Sequence, residues 1–216
     1  MTGGDAEIRL PGPETTGRSS VEEALAARRS VREYARESLT LVEVSQLLWA
    51  AQGITQAPRR VEFHTSGTPA ERGFRTAPSA GARYPLELRI AAGRVEDLPP
   101  GIYRYSPHGH ALLRTAEGDA RAGLSEAALG QSCVRSAPAV FAFSAVNERM
   151  SARYRERGIQ YVYIEVGHAA QNLFLQAVSL GLGTVPVGAF RDDAVKRVLG
   201  LPDGEEPLYL MPVGKM

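Results

Sequence analysis

Apolar and polar positions along this chain follow two rhythms, one repeating every three to four residues and one every second residue. The helical rhythm is clear from Leu39 to Gly53: Leu41, Val44, Leu47, Leu48 and Ala51 form a stripe, Thr40 stands at the N-cap with Glu43 three residues on, and Gly53 ends the run. Trp49 falls among these core positions. Ser20 with Glu23 repeats the capping pattern ahead of Val21, Ala24, Leu25 and Arg28, which predicts an earlier helix. The two-residue rhythm marks strands at Leu86 to Ala92, Gly101 to Tyr105 and Ala111 to Arg114, the last two joined as an antiparallel hairpin through Ser106 to His110. Pro138 to Ala145 is apolar on both sides, as a central strand entered through a proline should be.

The longest regular stretch is Gly158 to Leu180, whose apolar positions occupy nearly the whole helix circumference. Such a helix is buried, so Glu165 and His168 are expected to be satisfied core or interface groups rather than catalysts. Asp119 to Leu129 and Arg191 to Leu199 read as shorter helices, and Thr184 to Val187 and Pro207 to Val213 as strands. Residues 1–19, with frequent Gly, Thr, Pro and Ser and no period, are expected to form a flexible arm or to lie on a partner. Residues 20–216 are expected to be a single domain.

Composition narrows the setting. With 25 basic and 24 acidic residues the net charge is +1, which supplies no global field for nucleic acid or an anionic membrane surface. A single cysteine, Cys133, allows neither an internal disulfide nor a cysteine-rich metal site and favours a reducing compartment. No stretch approaches the roughly 18 apolar residues of a membrane span, so the expected setting is the cytoplasm.

Candidate chemistry gathers in a few places. Around Ala77 to Pro85, Pro78 fixes the backbone while Ser79, Ala80, Gly81 and Ala82 carry little side chain. The segment is either an ordinary loop capped by Ser79 or a surface on which a flat ligand lies. Arg28, Arg29, Ser30 and Arg32 are either a solvated helix end or a phosphate grip of bidentate donors and a hydroxyl. Gly188 and Ala189 allow close backbone approach. The stretch from Ile54 to Arg75 has the length of a functional loop, while His108 and His110 are expected to be solvated at the hairpin tip, not metal ligands.

Taken in order, RRSVREY at 28–34, PSAGARYP at 78–85, GIYRY at 101–105, IEVGHAAQNLFLQA at 164–177, GLGTVPVGAF at 181–190 and PVGK at 212–215 resemble the FMN-dependent nitroreductase superfamily, in its SagB-type (McbC-like) dehydrogenase branch. The resemblance implies an α+β fold with a mixed, mostly antiparallel sheet flanked by helices, and a homodimer with FMN at the interface, where the long helix is buried. It matches Arg28, Arg29, Ser30 and Arg32 to FMN contacts, Lys215 to the basic residue near the phosphate, and Pro78, Ser79, Ala80 and Gly81 to a loop from the other subunit. Pro186, Val187, Gly188 and Ala189 match the segment along the isoalloxazine, and Tyr161 is the candidate catalytic residue. It further implies ping-pong hydride transfer through flavin N5 on a small-molecule or peptide substrate. The alternatives are an NAD(P)H-dependent nitro or quinone reductase, with NAD(P)H as electron donor, and a non-catalytic flavin binder. Ala82 and Tyr84 stand where classical nitroreductases often carry an amide, which favours the SagB-like branch.

Overall fold

Both predicted capping boxes close in the computed structural model, which describes residues 7–56 and 73–216. Ser20 and Glu23 exchange hydrogen bonds to start α1 (Val21–Ala27), and Thr40 and Glu43 do the same for α2 (Leu41–Gln52). The strands are β1 (Glu7–Arg9), β2 (Ile54–Gln56), β3 (Phe74–Arg75), β4 (Leu86–Ala92), β5 (Gly101–Ser106), β6 (Ala111–Glu117), β7 (Ala139–Val146), β8 (Leu182–Thr184) and β9 (Glu205–Lys215). The remaining helices are α3 (Arg121–Ala127), α4 (Ser132–Ser136), α5 (Glu148–Tyr154), α6 (Arg157–Ser179) and α7 (Asp192–Leu199).

Seven strands form one sheet in the order β1-β6-β5-β4-β7-β9-β8, and every ladder in it is antiparallel. Among the described residues parallel pairing is confined to the isolated bridges Ser30–Thr184 and Leu39–Val95. β7 sits near the middle and is covered on both faces, which its two-sided apolar sequence requires. Phe141 and Phe143 point into a core shared with α2 and α6, while Val140 and Ala142 point into a second core shared with α3, α4 and α7. Burying each phenylalanine contributes roughly 1.5–3 kcal/mol relative to exposure. Among the described residues no helix is long and apolar enough to cross a membrane, and no three His, Cys, Asp or Glu residues cluster as a metal site.

Several expectations are corrected. The arm is tied down over its described part: β1 pairs with β6, and Gln46 on α2 accepts from the Glu14 N–H at 2.9 Å and donates to its carbonyl at 3.0 Å. His110 is half-buried instead of solvated. Its Nε2–H donates to the Pro11 carbonyl at 3.0 Å, and its Nδ1 accepts from the Tyr105 hydroxyl at 2.9 Å. The short strand after Gly181 is Leu182–Thr184, earlier than predicted, because its partner is the last turn-free stretch of β9, ending at Lys215. Most of the long loop between β2 and β3 falls outside the described residues; its ends pair as a small two-stranded ladder.

Within the single chain α6 buries one side, including Val162, Val166 and Leu173. It leaves Tyr163 and Ile164 60% and 55% exposed. Gly167, His168 and Gln171 continue that exposed stripe. A buried ion pair also crosses the sheet: Arg89 donates to both carboxylate oxygens of Glu205, at 3.1 Å for Nη2 to Oε2, and its Nη1 reaches Ser144 Oγ at 3.2 Å.

Candidate functional site

The segment after α1 decides where the arginine cluster goes. The chain leaves the helix at Arg28 and runs beside β8: Val31 N–H donates to the Thr184 carbonyl at 3.0 Å, and Ala35 N–H to the Lys215 carbonyl at 2.9 Å. The Tyr34 hydroxyl is shared between the Val31 and Pro212 carbonyls at 2.9 and 3.1 Å. Two glycines make this approach feasible. A Cβ on Gly183 would stand 2.6 Å from Val31 Cγ1, and one on Gly214 would stand 2.7 Å from Tyr34 Cβ. With Val31 and Tyr34 turned to the sheet, Arg29, Ser30 and Arg32 are left exposed along its edge.

Lys215 ends β9 at the same edge. Its ammonium pairs with Glu43 Oε1, while Glu43 Oε2 caps α2, so one carboxylate ties the helix start to the strand end. Nearby, Val187 is buried and exchanges both backbone hydrogen bonds with Leu210, at 2.8 and 3.0 Å. Pro186, Gly188 and Ala189 are exposed around it, and Gln131 Nε2 donates to the Ala189 carbonyl at 3.0 Å. β8 and β9 thus carry both the cationic segment and a stretch of nearly bare backbone. Arg28 lies over the Phe174 ring at 4.9 Å, and Arg29 Nη1 turns back to the Ala26 and Arg28 carbonyls. Of the four predicted N-terminal residues, Arg29 is therefore the one most engaged with its own backbone.

The second predicted loop stands apart. Ser79 Oγ accepts the Tyr84 N–H at 2.9 Å, closing the turn Ala80–Ala82. Ala82 and Tyr84 both take left-handed backbone at φ 50° and 47°, as does Gly81 at 59°. Non-glycine residues held there store strain of order 1–3 kcal/mol each, which surrounding contacts must offset. The offset comes from α5: Arg83 Nε donates to the Arg149 carbonyl at 3.0 Å and Arg149 Nη1 to the Tyr84 carbonyl at 3.1 Å. A Cβ on Gly81 would meet the Tyr154 hydroxyl at 2.5 Å. Tyr161 is edge-on to Tyr154, with ring centroids 5.0 Å apart, so it belongs to the wall behind this loop.

Glu165 on α6 lies on the loop's side, Phe174 on the arginine side. Nine residues of helix separate them, about 13 Å along the axis. One chain therefore does not bring Pro78–Gly81 onto the Arg28–Lys215 edge. Glu165 is buried as its helical position predicts. It is 2% exposed, and among the described residues the Ser79 hydroxyl acts on its carboxylate without reaching good hydrogen-bond geometry. Burial pushes its pKa up to about 7, against the weaker opposing pull of the Ser79 hydroxyl and the Arg75 guanidinium. His168, paired with it in sequence, is exposed.

The model of the Nitroreductase family matches residues 25–215. This chain belongs to the nitroreductase family. The family's members are flavin-dependent oxidoreductases, and this nitroreductase-family chain shares their α+β fold. It is 43% identical over 213 residues to "Putative nitroreductase MJ1384" of Methanocaldococcus jannaschii, covering 99% of this chain and 98% of that protein. It is 29% identical over 196 residues to the trifolitoxin operon protein TfxC of Rhizobium leguminosarum bv. trifolii, covering 89% of this chain but only 54% of TfxC. A crystal structure described as a putative nitroreductase from Ralstonia eutropha superposes with a TM-score of 0.80 at 29% identity, covering 97% of this chain and 89% of that one.

Proposed function

We propose that this chain is an FMN-dependent oxidoreductase of SagB-type dehydrogenase character, working as a homodimer with its cofactor at the subunit interface. The observation that carries the reading is the edge at β8 and β9. There, the Arg28–Arg32 segment pairs with β8 at Thr184, Lys215 ends β9 opposite Leu182, and the exposed backbone of Gly188 and Ala189 follows a few residues after Thr184.

That donor set fits FMN. A phosphate with nearly two negative charges needs several charge-assisted donors, and Arg28, Ser30, Arg32 and Lys215 supply them, with Arg29 at the margin. Pro186 to Ala189 offer a side-chain-poor surface for a flat ring. When bound, the flavin supplies hydride chemistry at N5, which two substrates use in turn in a ping-pong cycle. Two features support the partner's part in the site. The loop that carries Pro78, Ser79, Ala80 and Gly81 is anchored to α5 through Arg83 and Tyr84, yet lies away from its own chain's arginine edge. The exposed Tyr163 and Ile164 stripe on α6 is apolar surface that a second subunit would cover. Tyr161, behind the same loop, is the candidate proton-handling group at that end.

The SagB-like branch is favoured over classical reductases by Ala82 and Tyr84 in the loop and by the likeness to TfxC. The test is to reconstitute the protein with FMN and add NADPH under anaerobic conditions. A dehydrogenase of organic substrates, small molecules or peptides, leaves the flavin band oxidised on this timescale. Rapid bleaching would assign the chain to the NAD(P)H-dependent nitro or quinone reductases instead, and failure to cycle with any donor to a non-catalytic flavin binder.

A further inference from the structure

Three strands from β8, on the face formed by β4 and β5, a second cleft of about 250 Å³ opens beside Tyr84. Among the described residues three guanidinium groups line it, those of Arg75, Arg104 and Arg149, against the one carboxylate of Glu87. Glu87 accepts from Arg149 Nη2 at 2.6 Å and stands 3.8 Å from Arg104 Nη1. One carboxylate shared between two arginines leaves the cleft with an excess of positive charge.

The deeper wall carries unmet donors. Gln52 is 1% exposed, its Oε1 accepts from Arg75 Nη1 at 2.6 Å, and its Nε2 is buried with no acceptor among the described residues. Arg75 Nε is likewise buried with no acceptor among them. Buried polar groups are almost always satisfied, so two adjacent unmet donors in a cationic cleft mark the place of a missing acceptor. Arg75 is also fixed in advance. Its guanidinium lies over the Tyr84 ring at 4.5 Å, and its backbone N–H donates to the Tyr84 hydroxyl at 3.3 Å. Burial holds the Arg75 pKa below its ordinary value, and Glu165 opposes this from α6 without forming a hydrogen bond. An anion in the cleft would act in the same direction as Glu165. Leu88 and Tyr105 are buried behind the cleft, so its accessible lining is mainly polar. Its volume is below the roughly 300–1,000 Å³ of sites for drug-sized ligands, so it suits a small molecule.

We propose that this cleft is a second ligand site, separate from the flavin edge, for a small organic carboxylate. The carboxylate meets Arg75 and Gln52, with Arg104 and Arg149 at the mouth. The proposal does not depend on the flavin reading, because none of these groups belongs to the β8–β9 edge.

Isothermal titration of the purified full chain with benzoate, and separately with inorganic phosphate, tests it. Saturable benzoate binding is expected, weakened about 2- to 5-fold by Arg104→Ala at the partly exposed rim and 10-fold or more by Arg75→Met. Should Arg75→Met fail to fold, Arg104→Ala still decides, and it is expected to leave FMN binding unchanged. Absence of saturable heat with benzoate, or benzoate binding that Arg104→Ala does not weaken, overturns the proposal. Phosphate binding more tightly than benzoate, with the same sensitivity, overturns the assignment to a carboxylate.

Discussion

Arg28→Ala is expected to bind FMN about 10- to 100-fold more weakly than the unsubstituted protein while remaining folded, as read by titration of the flavin absorbance. A hydrogen bond to a charged group contributes about 1.5–3 kcal/mol, and each 1.4 kcal/mol is a factor of ten in affinity. Arg28 is the appropriate target because its guanidinium is only half-buried over Phe174 and forms no ion pair with another residue of the chain among those described. Removing it costs the fold little more than that cation–π contact, about 0.5–1 kcal/mol. Lys215→Ala would be harder to read, since it also leaves Glu43 without its ion-pair partner. Unchanged FMN affinity in Arg28→Ala would return the arginine cluster to the other reading that its sequence allows, a solvated helix end.

The second large effect concerns Glu165. An ordinary glutamate in the unfolded chain ionises near pH 4.5, whereas burial keeps this one protonated in the folded protein until about pH 7. Between those values the folded state binds more protons than the unfolded state, so the contribution of Glu165 is fully favourable below pH 4.5 and is lost as pH rises through 7. The difference corresponds to about 3 kcal/mol. Glu165→Gln, which removes the charge and keeps the shape, is therefore expected to be up to about 3 kcal/mol more stable than the parent at pH 8 and similar to it near pH 4.5. Denaturant unfolding at the two pH values measures this. Equal stability of parent and variant at pH 8 would show that the carboxylate is solvated or partnered.

What the sequence disclosed, and what it withheld, separate by the range of the interaction. The capping boxes at Ser20 and Thr40, the two-sided run of β7 and the helical period of α6 are encoded within a few neighbouring residues, and the structure contains all of them. His110 looked like a hairpin-tip histidine because its partners, Pro11 and Ser45, are 99 and 65 residues away. The Arg89–Glu205 pair, 116 residues apart, gave no local signal at all. β1 is three residues long, too short to show a period, so a gripped edge strand looked like a loose arm. Glu165 was legible in part. Its helical position made burial legible, but nothing local could show that Ser79 and Arg75, on distant elements, are the groups that act on it. At the candidate site the motif order was informative where single motifs were not. RRSVR alone fits a helix end, yet Gly183 and Gly214, more than 150 residues later in the chain, are what let it lie on the sheet beside β8.

Sedimentation velocity of the protein incubated with FMN, followed by flavin absorbance, is the most direct test of the central claim. The account predicts flavin co-sedimenting with a dimer at one FMN per chain, because the proposed site takes Pro78 to Gly81 from a second subunit. Flavin carried by a monomer, or protein that sediments free of flavin, would contradict it.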